Sequence, residues 1–262
     1  MNILDKIVAD KQEEVAAAAR RVPEAELRRR IADQPWKARG FEKRLAAPGP
    51  GGVNIIAEVK RASPSKGDIC ADLDASKCAA QYEAGGAAAI SVLTDTKYFK
   101  GSLEDLRRVR ETVALPVLRK EFIVAPYQVY ESRAAGADAV LLIVRILSAD
   151  RLRELLDLTR GLGMDALVEI HAAGDYPAAQ QAGARLIGIN NRNLATFDTS
   201  LATATSMHSL FKSGETAVAA SGIASRADIE TNLQAGIFNF LIGESLVRAE
   251  DRIGFLRKLV FG

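Results

Sequence analysis

The chain has 262 residues, 48% of them hydrophobic, and 35 basic residues nearly balance 33 acidic ones to leave a net charge of +2. This balance, with basic residues scattered along the chain, argues against a nucleic-acid-binding surface. The length and hydrophobic content are enough for one large core, and we predict a single domain over residues 1–262, a length at which α/β barrels are common.

The cysteine and histidine content narrows the chemistry further. Two cysteines, Cys70 and Cys78, cannot form a disulfide framework, so we expect a reducing, cytoplasmic environment. With only His171 and His208 present, a histidine-rich metal site is excluded, and we predict no metal site. The amino terminus lacks the apolar core of a signal peptide, and no apolar run approaches the ~20 residues of a membrane span.

Residues 1–52 are predicted to form a helical extension ahead of the first strand. Apolar residues recur at near-helical spacing between Ile3 and Val15, and Pro23 lies where a second helix would begin. Ala46–Gly52 is rich in Gly and Pro and is predicted to be a loop. Two interpretations are open: a solvent-exposed appendage, or a helix that covers one end of the main domain.

From Val53 onward, apolar strand-like segments alternate with helical ones. Four helical segments end in Ala-Gly and a fifth in Leu-Gly, and glycine past a helix end adopts the left-handed conformation that satisfies the last carbonyls. The predicted strands are 53–59, 87–94, 115–122, 138–144, 164–170, 185–190, 216–221 and 238–243. Continuous apolar strands joined by helices indicate a parallel α/β sheet covered on both faces. Eight such units in succession indicate a closed (β/α)8 barrel.

An open dinucleotide-binding sheet is the alternative architecture. It requires G-x-G-x-x-G after the first strand, and Arg61–Gly67 does not supply that pattern. The polar residues provide a further test, because barrel active sites lie at the carboxyl ends of the strands. Those ends carry Glu58, Lys60, Arg119, Lys120, Glu121, Glu169, Asn190, Arg192, Ser221 and Glu244. Structural ion pairs would explain any one of these, but randomly placed ion pairs would not collect at one end of the barrel.

Two strand ends are predicted to bind phosphate. Ser221-Gly222 and Gly243-Glu244-Ser245 each place glycine beside a predicted helix start, where backbone N–H groups and the positive helix end favour anions. Barrels often bind phosphate after their seventh and eighth strands. The alternative is that these glycines only allow tight turns. We therefore expect a small phosphorylated substrate, with no nucleic-acid or membrane partner.

Several motifs resemble the indole-3-glycerol phosphate synthase family of tryptophan biosynthesis. They are EVKRASPSKG at Glu58–Gly67, LRKEFIV at 118–124, LVEIH at 167–171, IGINNRNL at 187–194 and IGESL at 242–246. The resemblance implies a TIM barrel whose amino-terminal helical extension covers the active-site end. It implies a carboxy-lyase that converts 1-(2-carboxyphenylamino)-1-deoxyribulose 5-phosphate into indole-3-glycerol phosphate, without metal or organic cofactor. A monomer is expected, with a weak homodimer as the alternative.

The resemblance also assigns catalytic roles to residues of this chain. Lys120 would be the acid at the ketone oxygen, and Glu169 the base of the final dehydration. Lys60 would hold substrate anions, Glu58 would orient the lysines, and Asn190 would hydrogen-bond the hydroxyls. Because neighbouring cations and apolar walls favour a neutral amine, we expect Lys120 to have a lowered pKa.

Further residues are assigned to substrate binding. Ser63 and Arg192 would contact the anthranilate carboxylate. Phe99, Leu93 and Leu141 would form an apolar slot for the aromatic ring, with ordinary barrel core as the alternative. His171, two residues past Glu169 and without metal partners, is predicted to be a rim residue.

One position departs from the family pattern. Ala220 stands where the family usually has a glutamate, directly before Ser221-Gly222. A carboxylate near two lysines would raise their pKa values and relay protons. Three hypotheses follow: a weakened enzyme, an enzyme compensated by Glu58, or an altered variant. Two other functions also stay open, an isomerase-like phosphate-binding barrel and a barrel that binds a phosphorylated ligand without catalysis.

Overall fold

The structure, a computed structural model, describes residues 3–34, 36–64, 66–193 and 198–262. Eight parallel strands close into a barrel in the order β1-β8-β7-β6-β5-β4-β3-β2. They are β1 (Asn54–Val59), β2 (Ala89–Leu93), β3 (Val117–Lys120), β4 (Ala139–Ile143), β5 (Asp165–Ile170), β6 (Leu186–Asn190), β7 (Thr216–Ala220) and β8 (Asn239–Ile242). Each lies within the segment predicted from the sequence, so the predicted (β/α)8 barrel is confirmed.

The barrel is surrounded by helices, which alternate with the strands from β1 onward. They are α1 (Ile3–Arg21), α2 (Glu24–Asp33), α3 (Phe41–Leu45), α4 (Ala75–Gly85), α5 (Thr96–Phe99), α6 (Leu103–Thr112), α7 (Pro126–Ala134), α8 (Ala149–Gly161), α9 (Tyr176–Gln181), α10 (Ala202–His208), α11 (Arg226–Gln234), α12 (Glu244–Arg248) and α13 (Arg252–Phe261). In the described part of the chain, no helix combines the length and apolar character that crossing a bilayer requires.

Alternation along the strands divides the core into two layers. Ile56, Leu118 and Leu167 belong to a cluster inside the barrel. Neighbouring residues such as Ile55 and Val117 belong to the larger cluster between the strands and the helices. Because both faces of the strands are covered, apolar residues occur on both faces rather than alternating with polar ones.

The predicted glycine helix ends are confirmed, with one shift. Positive φ angles between 72° and 87° occur at Gly136, Gly163, Gly183 and Gly236. In the first repeat the left-handed residue is Gly86, with φ 95°, rather than Gly85. Gly85 is the last residue of α4, and a Cβ atom there would lie 2.9 Å from Leu256 Cδ2. The first glycine of that pair is therefore required by helix packing and the second by the turn.

The amino-terminal extension contacts both ends of the barrel. Ile3, Leu4 and Ile7 of α1 line a cavity at the carboxyl ends of the strands, which confirms the predicted cover over that end. Phe41 and Leu45 of α3 are fully buried and close the opposite end, against the interior cluster. The extension therefore does more than predicted, because its last part seals the barrel floor.

Candidate active site

Two adjoining cavities lie at the carboxyl ends of the strands. One has a volume of about 410 Å³ and is lined mostly by the segments after β7 and β8. The other has a volume of about 130 Å³ and lies beneath α1. Glu58, Lys60, Arg192, Ser221 and Leu241 line both cavities. We call them the polar lobe and the apolar lobe of one site.

A lysine and a glutamate from two strands that flank β4 meet in the apolar lobe. Lys120 ends β3 and Glu169 lies near the end of β5, and Lys120 Nζ is 3.7 Å from Glu169 Oε2. Burial alone would raise the pKa of Glu169, but the ammonium group of Lys120, with His171 and Asn190, lowers this pKa to about 2. Glu169 is therefore an ionised carboxylate at neutral pH.

The predicted lowering of the Lys120 pKa is wrong. Burial does disfavour the charged amine, but the carboxylates of Glu169 and Glu58 outweigh burial and raise this pKa above its usual value. The prediction assumed that other cations surround Lys120, whereas the charged groups that dominate its pKa are carboxylates. Arg119 points outward from the barrel, and its guanidinium group donates to Ser132 Oγ on α7 at 3.0 Å.

Glu169 has two further polar neighbours. Asn190 Nδ2 donates to Glu169 Oε1 at 3.3 Å, and His171 Nε2 lies 3.3 Å from the same oxygen. His171 directly follows β5, which ends at Ile170, and its side chain is buried and contacts Glu169, a contact that was not predicted. The i, i+2 spacing of Glu169 and His171 at a strand end was the available sequence signal.

A second lysine–carboxylate pair lies at the end of β1. Lys60 Nζ is 3.2 Å from Glu58 Oε1, and Ser91 Oγ donates to Glu58 Oε2 at 3.4 Å. The backbone of Gly243 packs against this carboxylate, and a Cβ atom at that position would lie 2.6 Å from Glu58 Oε1. Glycine at 243 therefore leaves the space that Glu58 occupies.

The polar lobe has the features of an anion site. Ser221 and Gly222 have consecutive positive φ angles of 69° and 80°, and such left-handed conformations are costly for serine and occur mainly at functional sites. Four cationic side chains line the lobe against two carboxylates. The cations are Lys60, Lys66, Arg192 and Arg248, and the carboxylates are Glu58 and Glu244.

The two predicted phosphate segments differ in their relation to helices. Gly243 directly precedes α12, which begins at Glu244. The helix after Ser221-Gly222 begins only at Arg226, so these two residues lie in a loop and not at the helix start. Ser245 Oγ donates to the Ile223 carbonyl at 3.1 Å and joins the two segments. All of Ser221, Gly222, Gly243, Glu244 and Ser245 line the polar lobe.

The apolar lobe gathers most of the predicted ring-binding residues. Leu93, Phe99 and Ser63 line it, together with Phe122, whose ring centroid is 6.0 Å from that of Phe99. Leu141 lines neither lobe, because it is buried in the barrel interior. Ile143, two residues further along β4 on the same face, occupies the lining position instead.

Ala220 lies in the apolar lobe, and its side chain is buried. It is paired with Asn190 on β6 and Leu241 on β8. The absent carboxylate would therefore have pointed into the same lobe that contains Lys60 and Lys120. In its absence, Glu58 and Glu169 are the carboxylates paired with these lysines.

Some lining residues were not predicted from the sequence. Lys66 and Arg248 face the polar lobe, and Ile7 faces the apolar lobe from α1. Lys66 belongs to a recognised motif, whereas Arg248 and Ile7 lie on helices whose placement no local pattern indicates. Across the described ranges, no three His, Cys, Asp or Glu side chains are grouped so that they could hold a metal ion.

Comparison with known proteins identifies the family. The indole-3-glycerol phosphate synthase family model matches residues 4–259. The chain belongs to the indole-3-glycerol phosphate synthase family. The synthase of Desulfosudis oleivorans is 60% identical over 259 residues, covering 99% of this chain and 98% of that protein. The synthase of Syntrophobacter fumaroxidans is 50% identical over 250 residues, covering 95% and 94% of the two chains.

A solved structure outside the family shares the fold alone. The thiamine phosphate pyrophosphorylase of Pyrococcus furiosus superposes with a TM-score of 0.61 at 15% identity, covering 79% of this chain and 93% of that one. At this low identity, the likeness concerns the barrel and not its chemistry. The motifs that this chain shares with the synthase family lie on the rim of its own barrel.

Proposed function

We propose that this chain converts 1-(2-carboxyphenylamino)-1-deoxyribulose 5-phosphate into indole-3-glycerol phosphate, carbon dioxide and water. One observation carries the proposal: the Lys120–Glu169 pair lies in the apolar lobe, and the Lys60–Glu58 pair lines both this lobe and the adjoining polar lobe. The substrate has a matching order of parts, with an aromatic ring at one end, a ketone in the middle and a phosphate at the other end.

The two lobes orient the substrate. The phosphate would bind in the polar lobe, where the Ser221-Gly222 backbone and the cationic side chains favour an anion. The ring would enter the apolar lobe between Leu93, Phe99 and Ile143. This placement brings the ring carbon that carries the carboxylate toward the ketone carbon, and fixing two reacting atoms in contact supplies a large part of a ring-closure rate.

Lys120 would provide the acid. In ring closure the ketone oxygen becomes a hydroxyl group, and in dehydration this hydroxyl leaves as water, so both steps need a proton donor at that oxygen. The raised pKa of Lys120, caused by Glu169 and Glu58 despite burial, keeps the amine protonated before substrate binds. A cation at this position also stabilises the negative charge that develops on the oxygen.

Glu169 would provide the base. The ring intermediate is cationic and acts as the electron sink for carboxylate loss, and dehydration then requires removal of a proton by a carboxylate. Asn190 donates a hydrogen bond to the carboxylate of Glu169, and His171 lies beside the same oxygen. Lys60, with Glu58 beside it, would hold substrate anions, and Ser63 and Arg192, which both line the apolar lobe, would contact the anthranilate carboxylate.

The direct test is turnover with the purified chain. Indole-3-glycerol phosphate formation would be followed by indole fluorescence, with carbon dioxide release measured in parallel. The matched control is Lys120→Ala, for which we expect a loss of about 10²–10⁴ in rate. Substrate binding by calorimetry without turnover would contradict the proposal and favour a ligand-binding barrel. Activity on phosphoribosyl anthranilate alone would favour an isomerase.

We also infer that the enzyme acts in the cytoplasm as a monomer. Cys70 and Cys78 are both free thiols, which supports a reducing compartment. Among the described residues, the exposed large apolar side chains are Leu210 and Phe261, which is a small apolar surface for a stable dimer. Sedimentation equilibrium over a range of concentrations would test the monomer, and a mass that doubles at micromolar concentration would contradict it.

A further inference from the structure

Helix α1 buries a lysine where a surface helix normally buries only apolar residues. In α1, the buried residues are Ile7 and Lys11, which are four positions apart and therefore lie on one face. Lys11 is 4% exposed. Burying an ammonium group is unfavourable unless it is paired, so its partners decide how the helix sits on the barrel.

The partners of Lys11 belong to the rim of the barrel. Lys11 Nζ lies 2.7 Å from Asp95 Oδ2 and 3.1 Å from Glu121 Oε1. Asp95 and Glu121 are both buried. The third partner, Glu14 at 2.6 Å, is on α1 itself and is partly exposed. Burial disfavours the charge of Lys11, but Glu121 and Asp95 outweigh it and raise the lysine pKa.

Both buried carboxylates also hold the loops that follow β2 and β3. Asp95 Oδ1 accepts from the Tyr98 backbone N–H at 2.6 Å and caps α5. Glu121 Oε1 accepts from the Phe122 N–H at 2.9 Å, and Glu121 Oε2 accepts from Thr94 Oγ1 at 2.8 Å. One ammonium group therefore joins α1 to two rim loops.

Those loops and that helix surround the apolar lobe. Glu121 directly follows Lys120, and Phe99 is the last residue of α5. Ile7, one turn before Lys11, lines the lobe from above. A second contact outside the lobe, between Lys97 Nζ and Asp10 Oδ2 at 2.6 Å, is more exposed.

We propose that Lys11 is a positioning residue. Its ammonium group, between Asp95 and Glu121, docks α1 onto the barrel and fixes the part of α1 that covers the apolar lobe. The proposal rests on the proposed function for its substrate. Lys11 touches neither the lobe nor the reacting atoms; it acts through Ile7 on one side and through the Glu121–Lys120 segment on the other. Without the Lys11 ammonium group, the buried carboxylates of Asp95 and Glu121 would lose a neighbouring cation, and α1 would separate from the rim.

The test compares Lys11→Met with Lys6→Met, a matched control at an exposed position of the same helix. Hydrogen exchange of the amides in residues 3–21 reports docking without substrate, and we expect it to be at least about ten-fold faster in Lys11→Met. Steady-state kinetics report whether α1 still covers the apolar lobe. In Lys11→Met, KM should rise about ten-fold or more, with a smaller change in kcat. Lys6→Met should match the unaltered chain in both measurements.

Two results would overturn the proposal. Unchanged exchange in Lys11→Met would show that the lysine does not dock the helix, and faster exchange with unchanged KM and kcat would show docking without a role in positioning. If Lys11→Met does not fold, Lys11→Met/Glu121→Gln, which also removes one stranded carboxylate, replaces it in both measurements. If the unaltered chain lacks synthase activity, the proposed function fails, and exchange still decides the docking step.

Discussion

Lys120 Nζ lies 3.7 Å from Glu169 Oε2, so the proposed acid and the proposed base form an ion pair. Each group holds the other in its charged form, which is the protonation state that each role requires at the start of the reaction. The substrate would have to enter between them, and the pair would separate as the ketone approaches Lys120. Several consequences of this arrangement can be measured.

Loss of the acid should abolish most turnover. Lys120→Ala removes the proton donor, and we expect kcat to fall about 10²–10⁴-fold. Lys77→Ala, which changes an exposed lysine on α4, is the control and should leave kcat unaltered. The kcat of both variants is measured by following indole fluorescence. A Lys120→Ala enzyme with more than about a tenth of the original kcat would remove Lys120 from the acid role.

The depressed pKa of Glu169 predicts how stability depends on pH. A carboxyl group whose folded-state pKa lies below its unfolded value stabilises the fold above the unfolded pKa, and this stabilisation is lost as the pH falls toward the folded pKa. For Glu169 the window runs from the ordinary value of 4.5 down to about 2. The shift corresponds to about 3 kcal/mol at most.

This stability prediction is tested with Glu169→Gln. Urea unfolding should show the variant to be less stable than the unaltered chain at pH 7, and the difference should narrow as the pH falls below 4.5. Glu13→Gln, at an exposed position of α1, is the control and should show no such narrowing. A difference that is constant between pH 7 and pH 3 would mean that the Lys120 pair does not stabilise the fold.

His171 should tune the base through its contact with Glu169. In His171→Asn the shorter side chain cannot reach Oε1, so the pKa of Glu169 should rise toward its ordinary value. The kcat/KM of the variant, divided by that of the unaltered enzyme, should then decrease at acidic pH, because more of the variant's Glu169 is protonated there. Dividing the two values cancels the titration of the substrate phosphate. His208→Asn, whose ring contacts the Ala235 carbonyl, is the control. A ratio independent of pH would leave His171 with only a packing role.

The space at Gly243 should be required for the position of Glu58. In Gly243→Ala the new Cβ would lie 2.6 Å from Glu58 Oε1 and displace the carboxylate from Lys60. We expect kcat/KM to fall about ten-fold or more. Gly161→Ala is the control, since nothing lies within 4 Å of a Cβ there, and should retain activity. Full activity in Gly243→Ala would show that Glu58 need not hold this position.

Restoring a carboxylate at position 220 distinguishes the hypotheses about this site. Lys60 and Lys120 already have Glu58 and Glu169 as partners, so Ala220→Glu should change kcat less than about three-fold and lower the free energy of unfolding by about 1–3 kcal/mol. This outcome fits compensation by Glu58. Ala220→Gln controls for volume. A large rise in kcat for the glutamate variant alone would instead indicate a weakened or altered enzyme.

Local patterns in the sequence determined the barrel, the rim and most of the site. Strand and helix periodicities and glycine helix ends depend on residues close in the sequence. Because barrel active sites lie at the carboxyl ends of the strands, these elements place Lys60, Lys120 and Glu169 together. Tertiary structure decided what these patterns do not contain. The carboxylates of Glu169 and Glu58 beside Lys120 reversed the expected direction of its pKa shift, and Ile143 replaced Leu141 in the apolar lobe. Lys11 reached Asp95 and Glu121 from a distant helix, because long-range charge pairing depends on how elements pack and not on their own periodicity.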